Sequence, residues 1–177
     1  MSQLPEPRFL GSERRSVDDR GRSPVPSQFR KSLSEHGIQE LYLSVTQACG
    51  FPVVRVYPPD AFTKVVQELN ELEDPEDQDA AYAFMHLASR CEIDDAGRVQ
   101  LPARFREYLQ VTKEIVWTGL GQYFDLTHPE AGKILPAVLN QAATNRNSPI
   151  SRIQRCVFRS EKAGGASGSM ARPAADQ

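Results

Sequence analysis

The sequence is short of the residues and segments that would assign a class at once. Cysteine is scarce: the 177-residue chain holds Cys49, Cys91 and Cys156, an odd count spaced by 42 and 65 residues. That spacing makes neither a disulfide framework nor a paired metal knuckle, and the three are read as reduced thiols that pack. No apolar run approaches the roughly 18 residues that a membrane-spanning helix needs. No basic segment leads into an apolar one at the start, where Met1 to Pro7 hold two prolines and a glutamate, so the expected address is the cytoplasm. Histidine is equally sparse. His36, His86 and His128 are isolated, form no HxxxH or His/Cys cluster, and assign no metal; His86 falls in a helical stretch and is read as structural. Walker A, G-x-S-x-G and GxGxxG patterns are absent, and no cysteine has a histidine near it in sequence. The chain is therefore read as a non-enzyme, with no catalytic residue, cofactor or small-molecule substrate.

Charge of one sign is also lacking, since 21 basic and 23 acidic side chains leave a net charge of −2. The distribution is more informative. Segment 71–79 carries six carboxylates and no base, whereas 14–31 carries six bases (Arg14, Arg15, Arg20, Arg22, Arg30, Lys31) against Asp18 and Asp19. Segregation of this kind can focus a positive field on one face of a nearly neutral protein; the alternative is a solvated charged loop.

The chain contains an internal repeat. Residues 17–33, from Val17 to Leu33, align without gaps on residues 93–109, from Ile93 to Leu109, at an offset of 76, with eight of seventeen pairs identical. Each copy reads as an apolar residue, an Asp-Asp-x-Gly-Arg turn, a returning strand, and a proline (Pro26, Pro102) that sets φ for a first helical turn. Phe29 with Leu33 and Phe105 with Leu109 then lie four apart on one face of a short helix. A further strand is predicted over 41–45 and over 115–117, and another over 51–57 and over 122–126. Asp60 is expected to cap a helix bearing Phe62, Val65, Val66, Leu69 and Leu72 on one stripe. Residues 79–89 read as a connecting helix, and 129–144 as an interrupted one whose Thr127 to Glu130 has capping-box spacing. Gly164, Gly165 and Gly168 among Ala, Ser and Pro make 160–177 a disordered tail, and 1–8 looks similarly loose.

These residues resemble the MraZ family of bacterial transcriptional regulators. Phe9-Leu10-Gly11, then Ser16-Val17-Asp18-Asp19-Arg20-Gly21-Arg22 after four residues, is similar to that family's opening F-x-G and S-L-D-x-K-G-R. The two DxxxR motifs, Asp18 to Arg22 and Asp94 to Arg98, match its signature. Pro26 with Phe29-Arg30, Val56-Tyr57-Pro58 before a helix, and Gly119-Leu120-Gly121-Gln122-Tyr123-Phe124 extend the likeness over about residues 9–130. The resemblance implies a mainly β, α+β fold of two AbrB-like swapped-hairpin half-barrels in one chain, assembled into homo-oligomeric rings. The repeat, the charge pattern and the composition together divide the chain into a flexible N-terminus (1–8), a first AbrB-like repeat (9–70), an acidic linker and connecting helix (71–89), a second AbrB-like repeat (90–145) and a C-terminal extension (146–177), mostly disordered from about 160, which matches nothing in the family.

The function implied is sequence-specific binding to double-stranded DNA, at tandem repeats upstream of its own operon in the division and cell-wall cluster, in a cytoplasmic and nucleoid-associated protein. Carried over by position, Arg20, Arg22 and Arg98 are the expected DNA contacts, with Arg14 and Arg15 as flanking candidates. Asp18, Gly21, Asp94 and Gly97 are expected to support the turns. Departures from the family pattern carry their own expectations. Glu13 replaces a usual aromatic, Pro24 predicts a local irregularity in the first sheet, Ala96 removes a basic residue from the second motif, and Thr127 replaces an aromatic.

Blander readings stand beside these. Asp-x-x-Gly alone is an ordinary hairpin turn. Arg14, Arg15, Arg104 and Arg106 also read as solvated or oligomer-interface residues, and Trp117 and Tyr123 as core aromatics. The alternatives for the whole chain are a ring-forming scaffold or antitoxin-like protein acting through protein contacts, and a small-ligand or catalytic barrel.

Overall fold

Eight short strands and four helices form from these patterns in the computed structural model, which describes residues 8–48, 50–131 and 133. In chain order they are β1 (Ser12–Ser16), β2 (Arg22–Pro24), α1 (Ser27–Glu35), β3 (Glu40–Ala48), β4 (Phe51–Tyr57) and α2 (Pro59–Asn70), then α3 (Pro75–Leu87), β5 (Ser89–Glu92), β6 (Arg98–Gln100), α4 (Ala103–Leu109), β7 (Glu114–Gly119) and β8 (Phe124–Thr127). The fold is mainly β in the α+β class. The expectations for Cys49, Cys156, residues 1–7, the helix beyond residue 133 and the tail lie outside the described residues.

The two repeats interleave. One six-stranded antiparallel sheet has the order β1-β7-β8-β4-β3-β5, and β2 pairs with β6 in a separate two-stranded ribbon. Thus β1 of the first repeat pairs with β7 of the second, and β5 of the second pairs with β3 of the first. Each hairpin is exchanged onto the other repeat.

The pairing has an approximate two-fold axis that the registers locate. Ser23 faces Val99, its own counterpart at the 76-residue offset, at the centre of the ribbon. At the other end of the axis, Arg15 faces Ile115 and its counterpart Cys91 faces Leu41, so Leu41 and Ile115 are equivalent. Three residues further along these strands, Ser44 faces Arg55 and Thr118 faces Asp125. Arg55 and Asp125 are therefore equivalent positions, and they face each other where β4 meets β8. Two identical repeats would place a residue against its own copy there. Fusion in one chain lets complementary charges meet instead: Arg55 Nε and Nη2 donate to the Asp125 carboxylate at 2.8 and 3.0 Å. Asp125 is only 4% exposed, and the Arg55 guanidinium also lies 4.4 Å from the centre of the Tyr123 ring.

The core fills between sheet, ribbon and the short helices. Phe9, Phe29, Trp117 and Phe124 are fully buried, with ring centres 5.0 to 5.5 Å apart along the chain of contacts Phe29–Phe9–Phe124–Trp117. Phe29 with Leu33 and Phe105 with Leu109 supply the buried faces of α1 and α4, as their spacing predicts. Trp117 is a core aromatic. Tyr123 is half-buried against Arg55 and Tyr57.

Several local expectations need correction. Pro26 and Pro102 stand immediately before their helices rather than in the first turn, and their carbonyls accept the first helical N–H bonds, from Arg30 at 2.8 Å and Arg106 at 3.3 Å. Asp60 does not cap α2. Pro58 holds the N-cap and Pro59, with its preset φ, takes the first helical position, so Asp60 lies in the first turn where its charge opposes the positive helix end. The helix stops at Asn70, leaving Leu72 beyond the stripe.

The connecting helix starts earlier and ends earlier than 79–89. Asp74 accepts the Glu76 backbone N–H at 2.9 Å, Pro75 follows at the first position, and Glu76 and Asp77 complement the helix dipole. Half of the acidic run is therefore a helix start. Glu130 is capped by the His128 ring rather than by Thr127, whose place is the last residue of β8. Among the described residues no helix is long and apolar enough to cross a membrane.

Candidate functional site

The two DxxxR motifs close the two hairpins in the same way. Asp18 accepts from the backbone N–H groups of Arg20 and Arg22 through Oδ1, at 3.0 and 2.8 Å, and from Arg22 Nε through Oδ2 at 2.8 Å. Asp94 repeats this with the backbone N–H of Arg98 at 2.8 Å and its Nε at 2.9 Å. The backbone closes beneath them, Gly21 to Asp18 and Gly97 to Asp94, both at 2.8 Å. Gly21 and Gly97 take φ of +79° and +72°, where a side chain is strained. The carboxylates are held below their ordinary range, Asp18 chiefly by the Arg22 backbone bond and Asp94 chiefly by the Arg98 side-chain bond. Each aspartate thus closes its turn and aims its arginine.

The ribbon carries both arginines on one face, at opposite ends, with Arg22 facing Gln100 and Arg98 facing Pro24. Ser23 and Val99 point inward, 0% and 2% exposed, so the alternation of a strand turns Arg22, Pro24, Arg98 and Gln100 outward. The turns extend from opposite ends of this outer face, with Arg20 exposed on the first and Ala96 on the second. Pro24 disturbs less than expected. It faces Arg98 in the ribbon between hydrogen-bonded positions, since Val25 N–H donates to Gly97 at 3.0 Å and Leu101 N–H to Gly21 at 2.8 Å, and there its missing N–H points away from β6. The effect is confined to the other edge. Ile93 and Val99 form a bridge in the second hairpin, and no matching Val17–Ser23 bridge is found among the described residues, where proline stands in place of the Gln100 N–H.

Two arginines complete the turns in a way that sequence reasoning missed. A Cβ on Gly21 would lie 2.6 Å from Arg106 Nε, and one on Gly97 would lie 2.4 Å from Arg30 Nη1. Each guanidinium covers the turn glycine of the other repeat. Arg106 also donates from Nε to the Leu101 carbonyl at 3.3 Å. The signal was present, because Phe-Arg occurs at matching positions in both copies, but the partner across the axis is set by hairpin exchange. Arg106 is therefore a turn brace rather than a freely solvated side chain. Arg104 donates to the Ala88 carbonyl at 3.0 Å and lies over the Phe105 ring.

Arg14 and Arg15 are not brought to the turns. They sit on β1, Arg14 paired with Glu114 at 3.3 Å and Arg15 with Glu13, and Arg15 Nε is buried with no hydrogen-bond partner among the described residues. Cys91 is buried, and desolvation pushes its thiol up to about 12, which makes it an unreactive packing group.

Similarity to known proteins runs through this same region. The family model described as "MraZ protein, putative antitoxin-like" matches residues 83–130, the span holding the second turn, its ribbon strand and Asp125. A protein named Transcriptional regulator MraZ from Lachnoclostridium phytofermentans is 34% identical over 113 residues, 63% of this chain and 75% of the relative. One of the same name from Desulfitobacterium hafniense is 34% identical over 122 residues, covering 67% and 79%, and one from Moorella thermoacetica is 33% identical over 116 residues, covering 63% and 75%. Identity of this extent, over three quarters of each relative, joins the duplicated Asp-to-Arg turns in one conclusion: this chain belongs to the MraZ family.

Proposed function

We propose that this protein is a transcriptional regulator that binds double-stranded DNA through the β2–β6 ribbon and the turns at its ends. The observation that carries this reading is the placement of Arg22 and Arg98 together on the outer face of one two-stranded ribbon, each aimed by its own aspartate. A two-stranded ribbon has the width that the major groove, about 12 Å across, admits. Arginine is the side chain suited to phosphate oxygens and to guanine edges. The exposed Arg20 adds a cation beside the first turn, while Asp18, Gly21, Asp94 and Gly97 keep the arginines in place and gain nothing against phosphate themselves.

The targets are repeated elements upstream of the protein's own operon, as the family resemblance implies. A homo-oligomeric ring would then offer several ribbons to successive repeats, so that weak single contacts add through effective concentration. Arg14 and Arg15 lie on β1 beyond the ribbon, paired with Glu114 and Glu13, and are left out of the proposed contact. The chemistry asked of the site is recognition and not catalysis, and it needs no cofactor. Such a protein works in the cytoplasm at the nucleoid.

Fluorescence anisotropy with the upstream DNA and a shuffled control, across a salt series, tests this reading. Preference for the upstream DNA, with a steep salt slope that Arg22→Ala reduces at a nearly unchanged melting temperature, is the expected result. Equal and weak binding to both would reject it in favour of a scaffold acting through protein contacts.

A further inference from the structure

The axis through Ser23 and Val99 relates Asp19 to Asp95, which carry the same charge at both turns, and gives three further outward positions a counterpart: Arg20 with Ala96, Arg22 with Arg98, and Pro24 with Gln100. Only the second of these three pairs is the same residue twice. The register decides where the differences fall. Arg22 stands opposite Gln100 at the end next to the first turn, and Pro24 stands opposite Arg98 at the end next to the second. Gln100 Nε2 reaches the Arg20 carbonyl at 3.4 Å, which draws the three residues of the first end together.

Both substitutions therefore act in the same direction. One end presents Arg20, Arg22 and Gln100, three side chains with several donors each and, in the glutamine, an acceptor as well. The other presents Ala96, Arg98 and Pro24, a single arginine flanked by two side chains that cannot hydrogen-bond. Two independent departures from repeat symmetry have concentrated the hydrogen-bonding capacity at one end of an otherwise two-fold surface.

We infer that the ribbon reads DNA in one direction, with Gln100 as a specificity-determining residue. The Arg20–Arg22–Gln100 end reads base edges, Gln100 taking the N6/N7 edge of an adenine and Arg22 the O6/N7 edge of a guanine. The Ala96–Arg98–Pro24 end holds the backbone through Arg98 and carries little base information. This inference rests on the DNA-binding reading above.

Selection of the full-length protein on a randomised double-stranded DNA library tests it, with Gln100→Ala, Pro24→Gln, Arg22→Ala and Arg98→Ala run in parallel and each checked for an unchanged melting temperature. Gln100→Ala is expected to lose roughly tenfold discrimination at one adenine position while keeping the salt slope. Arg98→Ala is expected to weaken all sequences alike and lower the slope by about one, leaving the preference intact. Pro24→Gln should create a second adenine preference at the symmetry-related position and make the selected element more palindromic. An unchanged preference in Gln100→Ala, or loss of preference in Arg98→Ala equal to that in Arg22→Ala, would overturn the inference while leaving DNA binding intact. Failure of the wild type to enrich any sequence would instead overturn the DNA-binding reading, and this inference with it.

Discussion

Single residues in the turns do two jobs, and pH separates them. Asp18 and Asp94 have carboxyls held below the ordinary 3.8 by hydrogen bonds from Arg22 and Arg98. A carboxylate lowered in the folded state adds stability that is complete above its unfolded value and is lost as pH falls through the folded one. The turns should therefore hold firm above about pH 4 and loosen below it. Urea midpoints at pH 7 and pH 3 are expected to fall further for the wild type than for Asp18→Asn/Asp94→Asn, which has less to lose in acid. The turn glycines give a second prediction. Gly97→Ala strains a positive φ and meets Arg30, a flexible side chain, whereas Gly21→Ala also meets the Leu101 carbonyl at 3.0 Å, which is backbone. Thermal denaturation should show a cost of about 1–2 kcal/mol for Gly97→Ala and more for Gly21→Ala. The turns were legible residue by residue, because Asp, Gly and Arg at that spacing have one local use. The arginines that cover them were not, because Arg106 meets Gly21 and Arg30 meets Gly97, each in the other copy and far away in sequence.

At the scale of elements, the ribbon depends on a buried polar contact that only one repeat makes. Ser23 Oγ accepts from Trp117 Nε1 at 3.3 Å, with both residues fully buried, and the counterpart of Ser23 is Val99. Ser23→Ala would leave the indole N–H without a partner, and chemical denaturation should register a loss of about 1–3 kcal/mol. The start of α3 offers a milder case: Asp74→Ala removes the one side-chain cap on that helix and should cost about 1 kcal/mol by the same measurement. The hairpins, strand β4 and the short helices were legible because their apolar spacing matches the period of the element. The ends of α2 and α3 were misread for a shared reason. Proline at the first helical position moves the cap to the residue before it, so Asp60 is displaced from capping and Asp74 is recruited to it.

For the whole molecule, the Arg55–Asp125 pair marks what distinguishes one fused chain from two identical ones. With the side chains of the aspartate and the arginine 6% and 23% exposed, removal of either partner leaves a largely desolvated charge. Arg55→Met and Asp125→Asn should each cost about 3 kcal/mol, and the exchanged pair Arg55→Asp/Asp125→Arg should recover part of the loss left by either reversal alone, as measured by urea unfolding. Failure of any recovery would show that Tyr123 and the strand register, rather than charge complementarity, govern the contact. The duplication itself, the turns at the two DxxxR motifs and the apolar faces of the short helices were determined by the sequence alone, since each follows from local spacing and backbone preference, whereas the class of fold and its swapped hairpins were implied by the resemblance to the MraZ family. The covering of each turn by an arginine from the other repeat, the opposition of Arg55 to Asp125 and the unequal ends of the ribbon were decided only by the tertiary structure. All three depend on which strands pair and in what register, and pairing between distant segments is set by the shared core they bury, which no local pattern records.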